Sequence, residues 1–208
     1  MPRCWRWCVC VLNLLGPAMA GAQTGATGGG WSTYGGDLGH TRYAPLSQIT
    51  AGNFDDLEVA WRFKTDNLGP TPEFRFQSTP LVVDDVLYST AGSRRAVVAI
   101  DAATGELRWM YSLDEGDRGA AAPRRLSGRG LAYWPGDEST SPRVVFVTPG
   151  YRMIALDVST GRPVPGFGSE GMVDLKQNND QAIDPVTGEV GLHATPIVAD
   201  DVIIVGAA

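Results

Sequence analysis

The residue types that most often carry chemistry are cysteines, glycine-rich phosphate loops and clustered carboxylates, and in this chain each of them argues against its usual role. Cys4, Cys8 and Cys10 are the only cysteines, and all precede Val11. They lie in a segment with Arg3 and Arg6 at its head, an apolar run from Trp7 to Leu15, and the small residues Ala18-Met19-Ala20. That order is the signature of a secretory signal peptide, with Ala20-Gly21-Ala22 as a second cleavage option. The run is shorter than the roughly 20 apolar residues that span a bilayer. Residues 1–22 are therefore expected to be removed on export, leaving a mature chain with neither disulfides nor thiolate metal sites. Gly166-Phe167-Gly168-Ser169-Glu170-Gly171 is formally G-x-G-x-x-G. A dinucleotide fingerprint follows a strand and opens a helix, whereas this one follows Pro163 and Pro165 and leads into Val173-Asp174-Leu175, so NAD is excluded. The acidic stretch from Asp174 to Glu189 lacks EF-hand spacing and reads as a solvated loop. With 23 Asp and Glu against 17 Lys and Arg, the chain is also a poor partner for nucleic acid, whose affinity comes mainly from basic side chains against phosphate.

The elements that must position any remaining chemistry are short strands. The chain holds 26 Gly and 14 Pro and shows no sustained apolar period of 3.6, which argues against a helical or doubly wound protein. Residues 23–30 are small and have little to bury, so they are expected to form a flexible linker, with order beginning near Trp31. Internal repetition then sets the architecture. Thr79-Pro80-Leu81-Val82-Val83-Asp84-Asp85-Val86-Leu87-Tyr88 returns as Thr195-Pro196-Ile197-Val198-Ala199-Asp200-Asp201-Val202-Ile203-Ile204. Each copy reads as a hairpin with an Asp-Asp turn. A second element, Ala99-Ile100-Asp101-Ala102-Ala103-Thr104-Gly105, matches Ala155-Leu156-Asp157-Val158-Ser159-Thr160-Gly161, and its glycine suits a turn that needs positive φ.

Hairpin, strand, turn and strand make a four-stranded antiparallel unit that cannot bury both faces alone. Stacking such units around an axis solves this, so the fold class is all-β and the architecture a β-propeller. An immunoglobulin-like sandwich also uses short strands, but it does not predict one A-x-D-x-x-T-G element per sheet. Two blades are expected over roughly residues 78–113 and 143–175, and a third from His193. The stretch 57–63, with Trp61 placed like Trp109, reads as the closing strand of a further blade. Propellers have about four to eight blades, so these residues, about three blades' worth, are expected to be the N-terminal portion of a larger domain.

The element Ala99-x-Asp101-x-x-x-Gly105-x-x-x-Trp109 resembles the tryptophan-docking motif of the PQQ-dependent (quinoprotein) dehydrogenases, whose propeller is eight-bladed. Trp31-Ser32-Thr33-Tyr34-Gly35-Gly36-Asp37, followed by Thr41-Arg42-Tyr43-Ala44-Pro45-Leu46, is similar to that family's N-terminal signature. Arg129-Gly130-Leu131-Ala132-Tyr133-Trp134 resembles the segment that crosses the cofactor pocket. Phe167-Gly168 with Val173-Asp174-Leu175 resembles the glucose and polyol branch. The resemblance runs from Trp31 to Ala208.

It implies an exported or periplasmic oxidoreductase, free or associated with the membrane surface. The substrate would be a sugar, polyol or alcohol, the cofactor pyrroloquinoline quinone (PQQ), and the electron acceptor a quinone or cytochrome. PQQ is a flat tricarboxylated quinone, and its rim calls for cations and hydrogen-bonding groups. Arg129 matches the family arginine that contacts it, and a guanidinium fork grips carboxylate bidentately. Gln77 stands where the family often has a glutamate at the quinone, and His193 where it often has a hydroxyl residue. Ala208, in Gly206-Ala207-Ala208, falls where the family backbone approaches the ring. Calcium is implied as well, with ligands expected beyond Ala208, as is the catalytic aspartate, so these residues alone are expected to be inactive. Two departures stand out. The adjacent cysteines of many alcohol-oxidising members are absent, and Pro163-Val164-Pro165 replaces the docking tryptophan of the second blade. The alternative is a non-enzymatic scaffold propeller of the cell envelope, which would have no need of Arg129.

Overall fold

The computed structural model describes residues 25–123, 130–191 and 194–206. Ten strands form three antiparallel sheets. The first runs in the order β1 (Leu81–Val83), β2 (Val86–Ala91), β3 (Ala96–Asp101) and β4 (Leu107–Tyr111). The second has β5 (Ala132–Trp134), β6 (Arg143–Val147), β7 (Arg152–Asp157) and β8 (Met172–Asp174). The third contains the hairpin β9 (Ile197–Ala199) and β10 (Val202–Ile204). These are two propeller blades and the opening of a third, as the repeats predict.

The strands alternate because successive side chains leave a strand on opposite faces. In β3, Val97 and Ala99 join Val144, Phe146, Ile154 and Leu156 of the second blade in one buried cluster. Their neighbours Val98 and Ile100 pack with Trp61 and Phe63 on the other face. In the second blade, Val145, Val147, Met153 and Ala155 turn away from the first blade toward Val198 and Ile203 of the third. The first two blades are thus apolar on both faces, and their neighbours in the chain cover them. The first hairpin turn is left-handed at both aspartates, with φ +49° at Asp84 and +60° at Asp85, and the second at Asp200 alone, with φ +51°. Aspartate tolerates this left-handed region better than most side chains.

The repeated Asp-x-x-Thr-Gly turn has one geometry in both blades. Asp101 Oδ1 accepts from the Ala103 and Thr104 amides and from Thr104 Oγ1 at 3.0–3.1 Å. Asp157 does the same for Ser159 and Thr160. Arg108 at 2.7 Å, followed by the Thr104 amide, pulls the Asp101 carboxyl down to about 2. Each turn then receives a tryptophan: Trp61 from the stretch 57–63, which contrary to expectation forms no assigned strand, and Trp109 from β4. The Trp61 indole donates to the Ala102 carbonyl at 3.1 Å and the Trp109 indole to the Val158 carbonyl at 2.8 Å. The glycine leaves room for the ring. A Cβ on Gly105 would come within 2.6 Å of Trp61, and one on Gly161 within 2.5 Å of Trp109.

Four further features differ from expectation. Order extends back past Trp31, since Ala26 is buried and donates its amide to the Tyr43 carbonyl at 2.9 Å. The second blade begins at Ala132, not near residue 143, because its first two strands are joined by a long connection (residues 135–142) with no Asp-Asp turn. Its outermost strand is split: Pro163 bridges Leu156, residues 165–170 loop out, and β8 resumes the pairing at Ile154. Phe167 in that loop packs with the cluster that includes Val198 and Ile203 of the third blade. Finally, the five-residue helix α1 (Gly116–Ala120) is too short to show periodicity.

Gly161 and Gly116 both have positive φ (+67° and +54°), but a Cβ on Gly116 meets nothing within 4 Å. In the full-length protein, Gly116→Ala should cost only the backbone strain of about 1 kcal/mol. Gly161→Ala should cost at least about 2 kcal/mol more, because the indole must also move. Equal unfolding midpoints for the two variants would contradict the wedge.

Candidate functional site

Three segments that open the innermost strands meet. They are residues 77–80 before β1, Gly130-Leu131 before β5 and residues 194–196 before β9. Thr90, 1% exposed, ties the first two together. Its hydroxyl donates to Ser78 Oγ at 3.0 Å and accepts the Gly130 amide at 3.3 Å. Gly130 has φ +94°, and a Cβ there would lie 3.1 Å from the Thr79 carbonyl and 3.6 Å from the Thr195 side chain. Its backbone is therefore flanked by blade one on one side and blade three on the other. Only glycine combines that φ with so close an approach.

Gln77 lines a cavity of about 330 Å³ together with Tyr34, His40 and residues 194–197. The cavity offers an amide, a phenol, an imidazole and a threonine hydroxyl beside the apolar Pro196 and Ile197. Of the four residues singled out from the sequence, Gln77 is the one described here. Arg129, His193 and Ala208 lie outside the described residues; Arg129 directly precedes Gly130 in sequence, His193 directly precedes Ala194, and Ala208 follows β10. Tyr34 and His40 were not expected at the cavity. They belong to a stretch that the sequence marks only as a family signature, far along the chain from Gln77.

The connection between β4 and β5, which contains Arg129, is bolted to the second blade through α1. Arg118, 5% exposed, grips Asp174 with both terminal nitrogens at 2.8 and 2.6 Å and donates Nε to the Gly150 carbonyl at 2.7 Å. Glu115 accepts from Thr148 Oγ1, the Gly150 amide and Arg152 at 2.6–2.9 Å. The Arg118 guanidinium holds the Asp174 carboxyl below its ordinary 3.8. Residues 166–171 turn into β8 rather than a helix, which bears out the exclusion of a dinucleotide loop. In the acidic stretch, Asp184 caps the Val186 and Thr187 amides at 2.8 and 2.6 Å. Among the described residues no group of three His, Cys, Asp or Glu side chains is placed to hold a metal ion.

Four-stranded antiparallel blades, two of them joined by a docked tryptophan, with a cavity where their innermost strands open, define part of a β-propeller. Residues 31–208 match the family described as "PQQ: Glucose/ethanol/alcohol dehydrogenase, beta-propeller domain", and the chain belongs to that family. The glycerol dehydrogenase large subunit of Gluconobacter oxydans (strain 621H) is 32% identical over 198 residues, covering 91% of this chain and 26% of that protein. The dehydrogenase subunit of a quinone alcohol dehydrogenase from the same organism is 37% identical over 153 residues, 72% of this chain and 18% of the relative. The crystal structure of quinohemoprotein alcohol dehydrogenase from Comamonas testosteroni aligns with a TM-score of 0.65 at 29% identity, over 86% of this chain and 23% of that one. The chain thus spans about a quarter or less of the length of these relatives.

The residues present fit such a cofactor. A cavity of about 330 Å³ is within the usual size of small-ligand sites, and its donors suit carboxylate and carbonyl oxygens.

The Arg118–Asp174 bridge gives a pH prediction. Because the folded carboxyl titrates below its unfolded value, the bridge stabilises fully above about pH 4 and its contribution fades as pH falls through the folded value. Asp174→Asn, which strands a buried guanidinium, should cost about 3 kcal/mol at pH 7. That gap between variant and wild type should narrow as pH falls below the ordinary carboxylate value of 3.8 in unfolding experiments. A gap independent of pH would contradict the assignment.

Proposed function

We propose that this chain supplies one side of the cofactor cavity in an exported quinoprotein dehydrogenase that oxidises a sugar, polyol or alcohol. The observation that carries the reading is the meeting of three strand openings around Gly130, next to the cavity that contains Gln77. Family membership favours the enzyme over the scaffold alternative. The polyol and alcohol substrates named for the relatives support the substrate class.

The residues proposed to hold PQQ are Gln77, Arg129 and His193, with the backbone at Ala208 against the ring. Arg129 would grip a carboxylate of the rim, since its fork and permanent charge match that group. Gln77 would donate and accept at the quinone edge, and His193 would add a further donor or acceptor. Pro196 and Ile197 would form an apolar flank that keeps water out. The chemistry supplied by bound PQQ is two-electron acceptance by an o-quinone. Calcium as companion ion, the periplasm as compartment, and a quinone or cytochrome as electron acceptor belong to the same proposal and rest on the resemblance.

The test is reconstitution of the full-length protein with PQQ and calcium, following dye reduction with glucose, polyols and alcohols. PQQ-dependent reduction by at least one substrate class is expected. Arg129→Ala should weaken PQQ binding about 10- to 100-fold, the equivalent of one charge-assisted hydrogen bond. A protein that neither binds PQQ nor reduces the dye would overturn the reading.

A further inference from the structure

The chain before the first blade is built into the inner side of that blade. Trp31 exchanges backbone hydrogen bonds with Val82 at 2.7 and 2.9 Å, along the edge of β1 that β2 leaves unused. β1 is the innermost strand of its blade, so residues 31–43 lie on the axial side. From there the chain folds into a tight loop. The Arg42 amide donates to the Gly35 carbonyl at 2.9 Å. Asp37 accepts from the Thr41 amide and hydroxyl at 3.0 and 2.8 Å. Trp31 lies over Gly36, where a Cβ would come within 3.2 Å of its ring.

This loop presents two side chains to one place. His40 has φ +55°, a conformation that histidine adopts more readily than most residues. Gly35 leaves it room: a Cβ there would stand 2.7 Å from both Cα and Cγ of His40. The His40 and Tyr34 rings lie 5.9 Å apart at 50°, and both line the cavity that Gln77 and residues 194–197 enclose from the other sides. A loop closed by a carboxylate clamp, with a glycine held beside a left-handed histidine, does more than connect.

We infer that Tyr34 and His40 are further cofactor-binding side chains, closing from the N-terminal segment the cavity that contains Gln77. The inference rests on the PQQ reading given above and extends it to residues that no family contact assigns. The imidazole and phenol would donate to rim oxygens of a flat polycarboxylate, and their rings would cover part of its apolar surface. These two residues would thereby link cofactor binding to the seating of the N-terminal segment on β1.

The test measures PQQ affinity, not turnover, on the full-length protein, by quenching of intrinsic tryptophan fluorescence with PQQ as the titrant. His40→Ala and His40→Phe should each weaken binding about 10- to 100-fold, and Tyr34→Phe several-fold. The phenylalanine at position 40 keeps ring bulk while removing the nitrogens, so it decides the matter should the alanine variant unfold. Gly35→Ala should resemble His40→Ala, because the added methyl displaces the imidazole. Wild-type affinity in folded His40→Phe and Tyr34→Phe, with Arg129→Ala still impaired, would overturn this inference and leave the PQQ reading standing. Absence of PQQ binding by the wild-type protein would overturn both.

Discussion

An indole lying on the glycine of the next blade's turn is the contact on which the rest of this structure depends. Trp61 meets Gly105 and Trp109 meets Gly161 in the same way, each with its N–H bonded to the carbonyl of the residue after the turn aspartate. The contact needs several residue types at once. The aspartate must cap the turn, the glycine must supply positive φ and an absent Cβ, and the tryptophan must leave its segment on the side facing the next blade. That is the physical content of the spacing from Ala99 to Trp109. It also sets the angle between blades, because a ring wedged between two sheets permits little sliding in a densely packed interior.

The site follows from that angle. Since Trp109 locks the first blade to the second, the segments that open their innermost strands arrive in register. Thr90 can then bridge Ser78 and Gly130, and Gly130 can pass between Thr79 and Thr195. The connection to the second blade is fixed at its other end by Arg118 and Glu115, which hold α1 on β8 and on the turn after β6. Neither set of contacts is itself chemistry. Together they hold the ends of a segment whose arginine would need to stay in place against a rigid cofactor.

Much of the fold was legible because the signals were local and repeated. The Asp-Asp hairpins and the Asp-x-x-Thr-Gly turns carry their geometry within a few residues, and two copies of each point to a stacked architecture. The first strand of the second blade was not legible as a strand, because residues 135–142 separate it from its partner and carry no compact turn signal. The split outer strand of that blade was foreshadowed only by its missing tryptophan, and the placing of Phe167 beside Val198 and Ile203 depends on packing across two blades. At the candidate cavity, Gln77 was singled out through the family resemblance, by its place before β1. Tyr34 and His40 have no repeat partner, and only the pairing of Trp31 with Val82 brings them to the same cavity.

The central claim is that the locked blades converge on one axial cofactor cavity. Its most direct test is a high-resolution experimental structure of the full-length protein soaked or grown with PQQ. Density for the cofactor is predicted at the cavity bounded by Tyr34, His40, Gln77 and Thr195, with the Trp109 indole seated on Gly161. Cofactor density at any other place in the molecule, or blades whose indoles do not meet these glycines, would contradict it.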